Sequence, residues 1–162
     1  MYEKFGEFDS ADEINRAADA QKAEGDELAV LAIAKENGID EDDARDYLAG
    51  DLPTLCTPIS AAIGKIELEA GELQIFGPFE DWKEMLLEMV TEEKELAAGV
   101  RRKGKSLCEC FGKLVYEESR NRKNADSRIL KASGISLNTL PVSTMSRIQQ
   151  RDFMRAYYGG AS

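Results

Sequence analysis

The sequence of 162 residues contains no histidine, only three cysteines and four prolines, and no long apolar run. Without histidine the chain lacks the commonest general base and the usual partner of a nucleophilic serine or cysteine. Carboxylate or lysine chemistry remains open, but no particular pair of residues is marked for it. The longest apolar stretches are well short of a membrane-spanning helix. We therefore expect a protein that is not an enzyme and has no transmembrane helix.

The three cysteines are too few and too poorly spaced for a disulfide framework or a zinc site. Cys108 and Cys110 form a Cys-x-Cys pair, Cys56 is distant in sequence, and no histidine can complete a ligand set. We expect reduced thiols and neither a metal nor another cofactor. Cys108 and Phe111 are predicted on the apolar side of a helix, where a thiol packs as a small hydrophobe.

The first residues, MYEKFGEFDSADE, are acidic and polar and do not resemble a signal peptide, so we expect a cytoplasmic protein. The length fits one domain with a small appendage. We predict an acidic helical segment over residues 1–52, a helical core domain with a basic C-terminal half over residues 53–158, and a frayed tail over residues 159–162.

Charge is distributed very unevenly along the chain, although its net value is −10. Residues 1–50 carry −10 and residues 51–100 carry −8, whereas residues 101–162 carry +8. Such a division is typical of a protein with an interaction surface at each end. Alternatively, the two halves attract each other within one globule, and the sequence leaves both interpretations open.

The apolar residues recur at helical spacing throughout, which predicts an all-α fold. We expect a compact bundle of about seven short helices that includes an acidic N-terminal helical hairpin. The clearest stripe contains Trp82, Met85 and Met89. No strand is predicted. One helix should run from Ser106 to Lys123, and the last should begin at Ser143 or Thr144.

The segment VLAIAKENGIDEDDARDYLAG, residues 30–50, has the pattern of two short helices joined by a tight turn. A DNA-reading helix-turn-helix needs basic residues on its second helix, and here that helix is acidic. We interpret the segment as a helical hairpin whose acids favour the N-terminus of the second helix. A further hypothesis is that its acidic face imitates nucleic acid and binds a basic groove of a partner protein. The candidate partner-binding acids are Asp40, Glu41, Asp42, Asp43 and Asp46.

The string GVRRKGKS, residues 99–106, matches the nucleotide-binding pattern G-x-x-x-x-G-K-[ST]. A phosphate-binding loop needs a buried strand before it, and the preceding residues TEEKELAA are typical of a helix. We therefore interpret the string as a basic turn between helices, in which Ser106 and Glu109 form a capping box.

Basic residues recur through the C-terminal part. Three arginines stand four residues apart on the last helix, which is typical of a solvated face or of a docking strip for acidic groups. The candidate basic residues for a protein or nucleic-acid partner are Arg101, Arg102, Lys103, Lys105, Arg120, Arg122, Lys123, Arg147, Arg151 and Arg155.

With the motif VRRKGKSL at residues 100–107, Phe111, and MRAYY at residues 154–158, the chain resembles the PcfK-like family. The resemblance covers residues 55–158 and leaves the acidic N-terminal segment outside. It implies a small helical protein of a mobile genetic element, and some proteins similar to this family are anti-CRISPR inhibitors of RNA-guided Cas nucleases. It carries no catalytic residues.

Two functional hypotheses follow. The first is a non-enzymatic, acidic protein-binding factor of a mobile element that binds and inhibits an RNA-guided Cas nuclease or its guide complex. The alternative is a nucleic-acid-binding accessory protein of conjugation that uses the basic C-terminal helices. Neither hypothesis involves a membrane, and the sequence predicts no oligomeric state.

Overall fold

The computed structural model describes residues 3–159, which form nine α-helices and one two-stranded sheet. The all-α class predicted from the sequence is confirmed, with two more helices than expected. The elements are α1 (Ala11–Ala23), α2 (Glu27–Glu36), α3 (Glu41–Ala49), α4 (Pro58–Glu72), α5 (Pro78–Glu92), α6 (Lys94–Arg101), α7 (Leu107–Arg120), β1 (Arg122–Asn124), α8 (Ser127–Ser133), β2 (Pro141–Ser143) and α9 (Arg147–Gly159).

Side-chain caps begin several of these helices. The Ser10 hydroxyl accepts a hydrogen bond from the Glu13 amide, and the Asp26 carboxylate accepts one from Ala29. Thr57 and Ser60 form a reciprocal capping box, and Pro58 occupies the first turn of α4. These bonds satisfy amides that have no partner within their own helix, so each start is defined locally.

The buried side chains form two clusters. The larger lies among α4, α5, α6, α7 and α9 and includes Trp82, Met85, Leu86 and Phe111. The smaller lies among α1, α2 and α3 and extends to Ala61 on α4. The boundary at residues 52 and 53 stays a prediction. Of the predicted frayed tail, Gly159 is the last residue of α9, and residues 160–162 lie outside the described part.

Two glycines bring the N-terminal helices into backbone contact with α4. Gly38, in the turn after α2, has a φ of +70°. A Cβ atom on Gly38 would lie 2.4 Å from the carbonyl oxygen of Gly64, and one on Gly64 would lie 2.4 Å from that of Asn37. Since the turn approaches α4 so closely, side chains larger than hydrogen cannot be accommodated there without a shift.

The short antiparallel sheet was not predicted. β1 pairs with β2 in the register Arg122 to Ser143, Lys123 to Val142 and Asn124 to Pro141. These segments lack the alternation of apolar and polar residues that identifies a strand, because most of the sheet is exposed. As a result α7 ends at Arg120 rather than Lys123, and Arg122 and Lys123 lie on a strand.

The start of α9 and the buried cysteine of α7 also differ from the prediction. α9 begins at Arg147 because Ser146 and Gln149 form the reciprocal cap, instead of Ser143 or Thr144. On α7 the buried thiol is Cys110, and Cys108 is exposed. The stripe on α7 follows the spacing i, i+3, i+4, i+7 and consists of Leu107, Cys110, Phe111 and Leu114.

Candidate interaction surfaces

Helix α3 packs on the other N-terminal helices through its buried side. Ala44 and Tyr47 are buried, and the Tyr47 hydroxyl donates a hydrogen bond of 2.6 Å to Asp19 on α1. The Lys22 ammonium donates to the Tyr47 carbonyl oxygen at 2.5 Å and lies over the Tyr47 ring. Burial, followed by the bond to Asp19, raises the pKa of Tyr47 to about 12, so the hydroxyl remains a donor at neutral pH.

The opposite side of α3 presents the predicted acids to solvent. All five are exposed: Asp40, Glu41, Asp42, Asp43 and Asp46. The Asp40 carboxylate caps the helix by accepting from the Asp42 amide at 2.8 Å, and Glu41 pairs with Arg45. Within residues 3–159, no cation pairs with Asp42, Asp43 or Asp46. This surface, which we call the acidic face, is therefore negative and largely uncompensated.

Arg101, predicted to contact a partner, is instead buried inside the protein. Its side chain is 1% exposed, and its Nη2 atom donates to the Asn37 side-chain oxygen. Asn37 is itself buried and donates to the Ile33 carbonyl oxygen at 2.8 Å. Arg101 therefore joins α6 to the turn after α2, and it is excluded from any exposed binding surface in this fold. Arg102 and Lys103 beside it are exposed.

Residues 99–101 of the nucleotide-binding pattern form the end of α6, and residues 102–106 form the predicted turn between two helices. Gly99 lies inside α6, where a Cβ atom would be 2.4 Å from the Tyr158 carbonyl oxygen, so this glycine permits α6 to pack against the end of α9. The Lys105 ammonium donates to the Tyr157 carbonyl oxygen at 2.9 Å. Both residues hold the C-terminal helix, and the described residues before the motif include no strand that could deliver a phosphate loop.

In the predicted capping box at the start of α7, the Tyr157 hydroxyl lies between the Ser106 amide and the Glu109 carboxylate. The Ser106 hydroxyl accepts from the Glu109 amide at 3.1 Å, as expected. The Ser106 amide, however, donates to the Tyr157 hydroxyl at 3.0 Å, and that hydroxyl donates to the Glu109 carboxylate at 2.8 Å. The start of α7 thus depends on a residue fifty positions later, which local spacing does not reveal.

Two of the three arginines on α9 pair with acids of the same chain. Arg155 donates to both carboxylate oxygens of Glu93, at 2.9 and 2.8 Å, and this hydrogen bonding lowers the pKa of Glu93. Arg151 lies 3.5 Å from Glu88 and 3.4 Å from Glu92. The acidic and basic parts therefore meet along α5, α6 and α9. Arg147, at the exposed start of α9, is not part of this contact.

The remaining basic candidates lie on or beside a projection that we call the arm, residues 121–146. It consists of β1, α8 and β2, is closed at its base by the Thr144 amide donating to the Asn121 carbonyl oxygen at 2.8 Å, and buries only Leu130. Arg120, Arg122, Lys123 and Arg147 are exposed at its base and on β1. Residues 120–147 contain six basic residues and one acidic residue.

The arm and the helix ends next to it carry most of the large apolar side chains that are exposed in the described residues. Ten large apolar residues are exposed in the described part of the chain, and eight of them lie between residues 115 and 148. These eight are Val115, Tyr116, Ile129, Ile135, Leu137, Leu140, Val142 and Ile148. Exposed apolar side chains that are grouped into a patch mark interaction sites.

A buried ionic cluster beside Arg101 was not anticipated. The Lys65 ammonium, 1% exposed, donates to Glu7 at 2.8 Å and to the Arg102 carbonyl oxygen at 3.0 Å. Glu69, one turn later, accepts from the Leu107 amide at 2.5 Å, and burial raises its pKa. The i, i+4 spacing of Lys65 and Glu69 on α4 was the only sequence signal. The cluster joins the N-terminal segment to α4, α6 and α7.

Comparisons with known proteins return no relative: no protein-family model, no curated protein and no solved structure matches the chain. Across residues 3–159, no helix combines the length and the apolar character that crossing a bilayer requires. The same residues contain no group of cysteine and carboxylate side chains arranged to hold a metal ion. The acidic face and the arm are therefore the two surfaces from which function can be argued.

Proposed function

We propose that this protein is a non-enzymatic binding protein of a mobile genetic element, which inhibits an RNA-guided Cas nuclease by placing its acidic face in a nucleic-acid groove of that enzyme. The observation that carries the proposal is the acidic face itself, where Asp42, Asp43 and Asp46 are exposed and form no ion pair within the described residues. The link to mobile elements and to nuclease inhibition comes from the resemblance to the PcfK-like family.

The carboxylates of the acidic face lie on a helix that is anchored to the rest of the protein. RNA-guided nucleases hold their guide–target duplex in a positively charged channel that contacts the phosphate backbone. The acidic face presents carboxylates from a helix whose other side is anchored by Ala44 and by the hydrogen bond between Tyr47 and Asp19. A prearranged set of anions speeds association with a basic channel, and its contribution falls as salt is added. The proposal places the protein in the cytoplasm.

A cleavage assay with a purified nuclease, guide RNA and target DNA tests the proposal. The wild-type protein should block cleavage, and the triple variant D42N/D43N/D46N should block it much less. The matched control D81N/E84Q/E95Q removes three exposed acids from the starts and outer sides of α5 and α6, and should inhibit like the wild type. Absence of inhibition of any RNA-guided nuclease, or equal inhibition by both triple variants, would refute the proposal.

The alternative is a nucleic-acid-binding accessory protein of conjugation. Three of the basic residues that it would use are not free to bind nucleic acid in this fold. Arg101 is buried, and Arg151 and Arg155 pair with acids of α5 and α6. The favourable observation is that Arg122, Lys123 and Arg147 remain exposed. A gel shift at low salt is expected to show a complex that R122E/K123E abolishes if this alternative holds.

A further inference from the structure

The arm combines three features that rarely occur together on a protein surface that has no binding role. It is basic, it carries five of the ten large apolar side chains that are exposed in the described residues, and its segments contact mainly one another. The sheet pairs β1 with β2, Asp126 caps α8, and the Ala125 amide donates to the Leu140 carbonyl oxygen at 2.8 Å. α8 makes no extensive contact with another described helix or strand. Folding of the arm thus buries Leu130 but leaves five of its large apolar side chains exposed.

The chemistry of these side chains favours a protein as the occupant. Five apolar residues of the arm are exposed and all are aliphatic: Ile129, Ile135, Leu137, Leu140 and Val142. Single-stranded nucleic acids stack on aromatic rings, which the arm lacks. An occupant should therefore offer carboxylates for the basic residues together with at least one protruding aliphatic side chain.

The same chain presents such a counterpart at the corner between α1 and α2. Leu28 is 79% exposed, and it is the only exposed large apolar residue among residues 3–75. Glu24, Asp26 and Glu27 precede Leu28 in the sequence and are exposed. Lys22, the nearest cation in sequence, is engaged with Tyr47. We call Glu24, Asp26, Glu27 and Leu28 the acidic corner.

We propose that the arm of one copy docks on the acidic corner of a second copy, so that the protein self-associates head to tail. Within the described residues the ion pairs between the two halves involve Arg151 and Arg155 and none of the basic residues of the arm, so both surfaces remain available. Arm-to-arm pairing is disfavoured because two basic arms repel each other. A head-to-tail contact closes into a ring or grows into an open chain.

Sedimentation equilibrium with charge-exchanged variants tests the contact. For wild type at low salt, the weight-average mass should rise with concentration above that of one chain, and high salt should abolish the rise. The arm variant R122E/K123E and the corner variant E24K/E27K should each remain single chains. Mixed in equal amounts they should associate again, because an acidic arm then meets a basic corner and the unchanged surfaces still fit each other.

Control variants separate the contact from general charge effects and from misfolding. K94E/K103E and D81K/E95K make equal charge changes elsewhere and should associate like wild type. Leu28→Ser tests the apolar part without altering charge and should weaken association. Circular dichroism checks that each variant is folded, and I135S/L137S replaces the arm variant if β1 is disrupted.

The contact does not use the acidic face of α3, so its failure and the failure of nuclease inhibition are separate results. Wild type that stays a single chain at every concentration in low salt overturns the inference, as does a mixture of folded variants that fails to associate. Binding of the arm to anionic vesicles or to DNA in the absence of self-association also overturns it and assigns the surface to that ligand.

Discussion

Gly99 shows how a single residue can match a functional motif and serve a packing role. It stands where the phosphate-binding pattern would begin, yet its missing side chain lets α6 touch the Tyr158 carbonyl oxygen of α9. Gly112 on α7 has no atom near the position of its missing Cβ. The two glycines therefore make a matched pair of helical sites.

We expect Gly99→Ala to destabilise the protein by about 1–3 kcal/mol, since the added methyl group forces α6 and α9 apart. Gly112→Ala should stabilise it by about 0.5–1 kcal/mol, because alanine lowers the entropy of the unfolded chain at no steric cost. Urea unfolding of the two variants measures both changes. Equal effects at the two sites would contradict the packing role of Gly99.

The three thiols are expected to differ strongly in reactivity. Burial raises the pKa of Cys56 and of Cys110 to about 12, and both side chains are shielded from reagents. Cys108 is exposed, and the thiolate form is the one that reacts. In mildly alkaline solution a thiol reagent should modify one cysteine quickly in the folded protein. Cys108→Ser should remove that reaction, and rapid modification of a second thiol would contradict the burial of Cys56 and Cys110.

At the scale of single residues, the sequence predicts what depends on neighbours within one turn of helix. The cap at Ser106 is such a case, because its hydroxyl accepts from the Glu109 amide as predicted. Arg101 was misassigned because its burial depends on Asn37, which is distant in sequence. Cys108 was misplaced by a small error in the phase of the helical stripe on α7.

Among the elements, α9 is held to the rest of the fold by charge as well as by buried side chains. Met154 and Tyr158 are buried in the larger cluster, while Arg155 forms two hydrogen bonds with Glu93 at the junction of α5 and α6. That hydrogen bonding lowers the pKa of Glu93 below its ordinary value of 4.5. The pair therefore stabilises the fold only while Glu93 is ionised.

Glu93→Gln should lower the free energy of unfolding at neutral pH by about 0.5 kcal/mol, a small value because Arg155 is partly exposed and screened by solvent. The pair's contribution is complete above pH 4.5 and is lost as the pH falls through the lowered pKa of Glu93. The difference between wild type and variant should therefore vanish in acid. Thermal unfolding across this pH range measures it, with Glu95→Gln as the control. A difference that persists in acid would contradict the ionic role.

The elements that the sequence predicted well are those whose burial pattern repeats. α5 follows its stripe of Trp82, Met85 and Met89. β1 and β2 were missed because a small exposed sheet carries no burial pattern, and its register pairs residues that are 17 to 21 positions apart. The position of the arm could not be predicted for the same reason.

In the whole molecule, the acidic and basic halves of the chain attract each other only in part. Some of the opposite charge is used internally, where α9 meets α5 and α6. The rest is separated, with the acidic face on α3 and the basic residues on the arm exposed and without ion pairs between them in the described residues. A protein that keeps opposite charges apart in this way has surfaces suited to binding partners.

The salt dependence of the complex with an RNA-guided nuclease tests this account most directly. Dissociation constants should be measured over a range of salt concentrations for wild type, D42N/D43N/D46N and D81N/E84Q/E95Q. We predict a tight complex that salt weakens steeply, with both the affinity and the salt dependence reduced in the first variant and retained in the second. No complex, or one with the same affinity and salt dependence in all three proteins, would contradict a role for the acidic face.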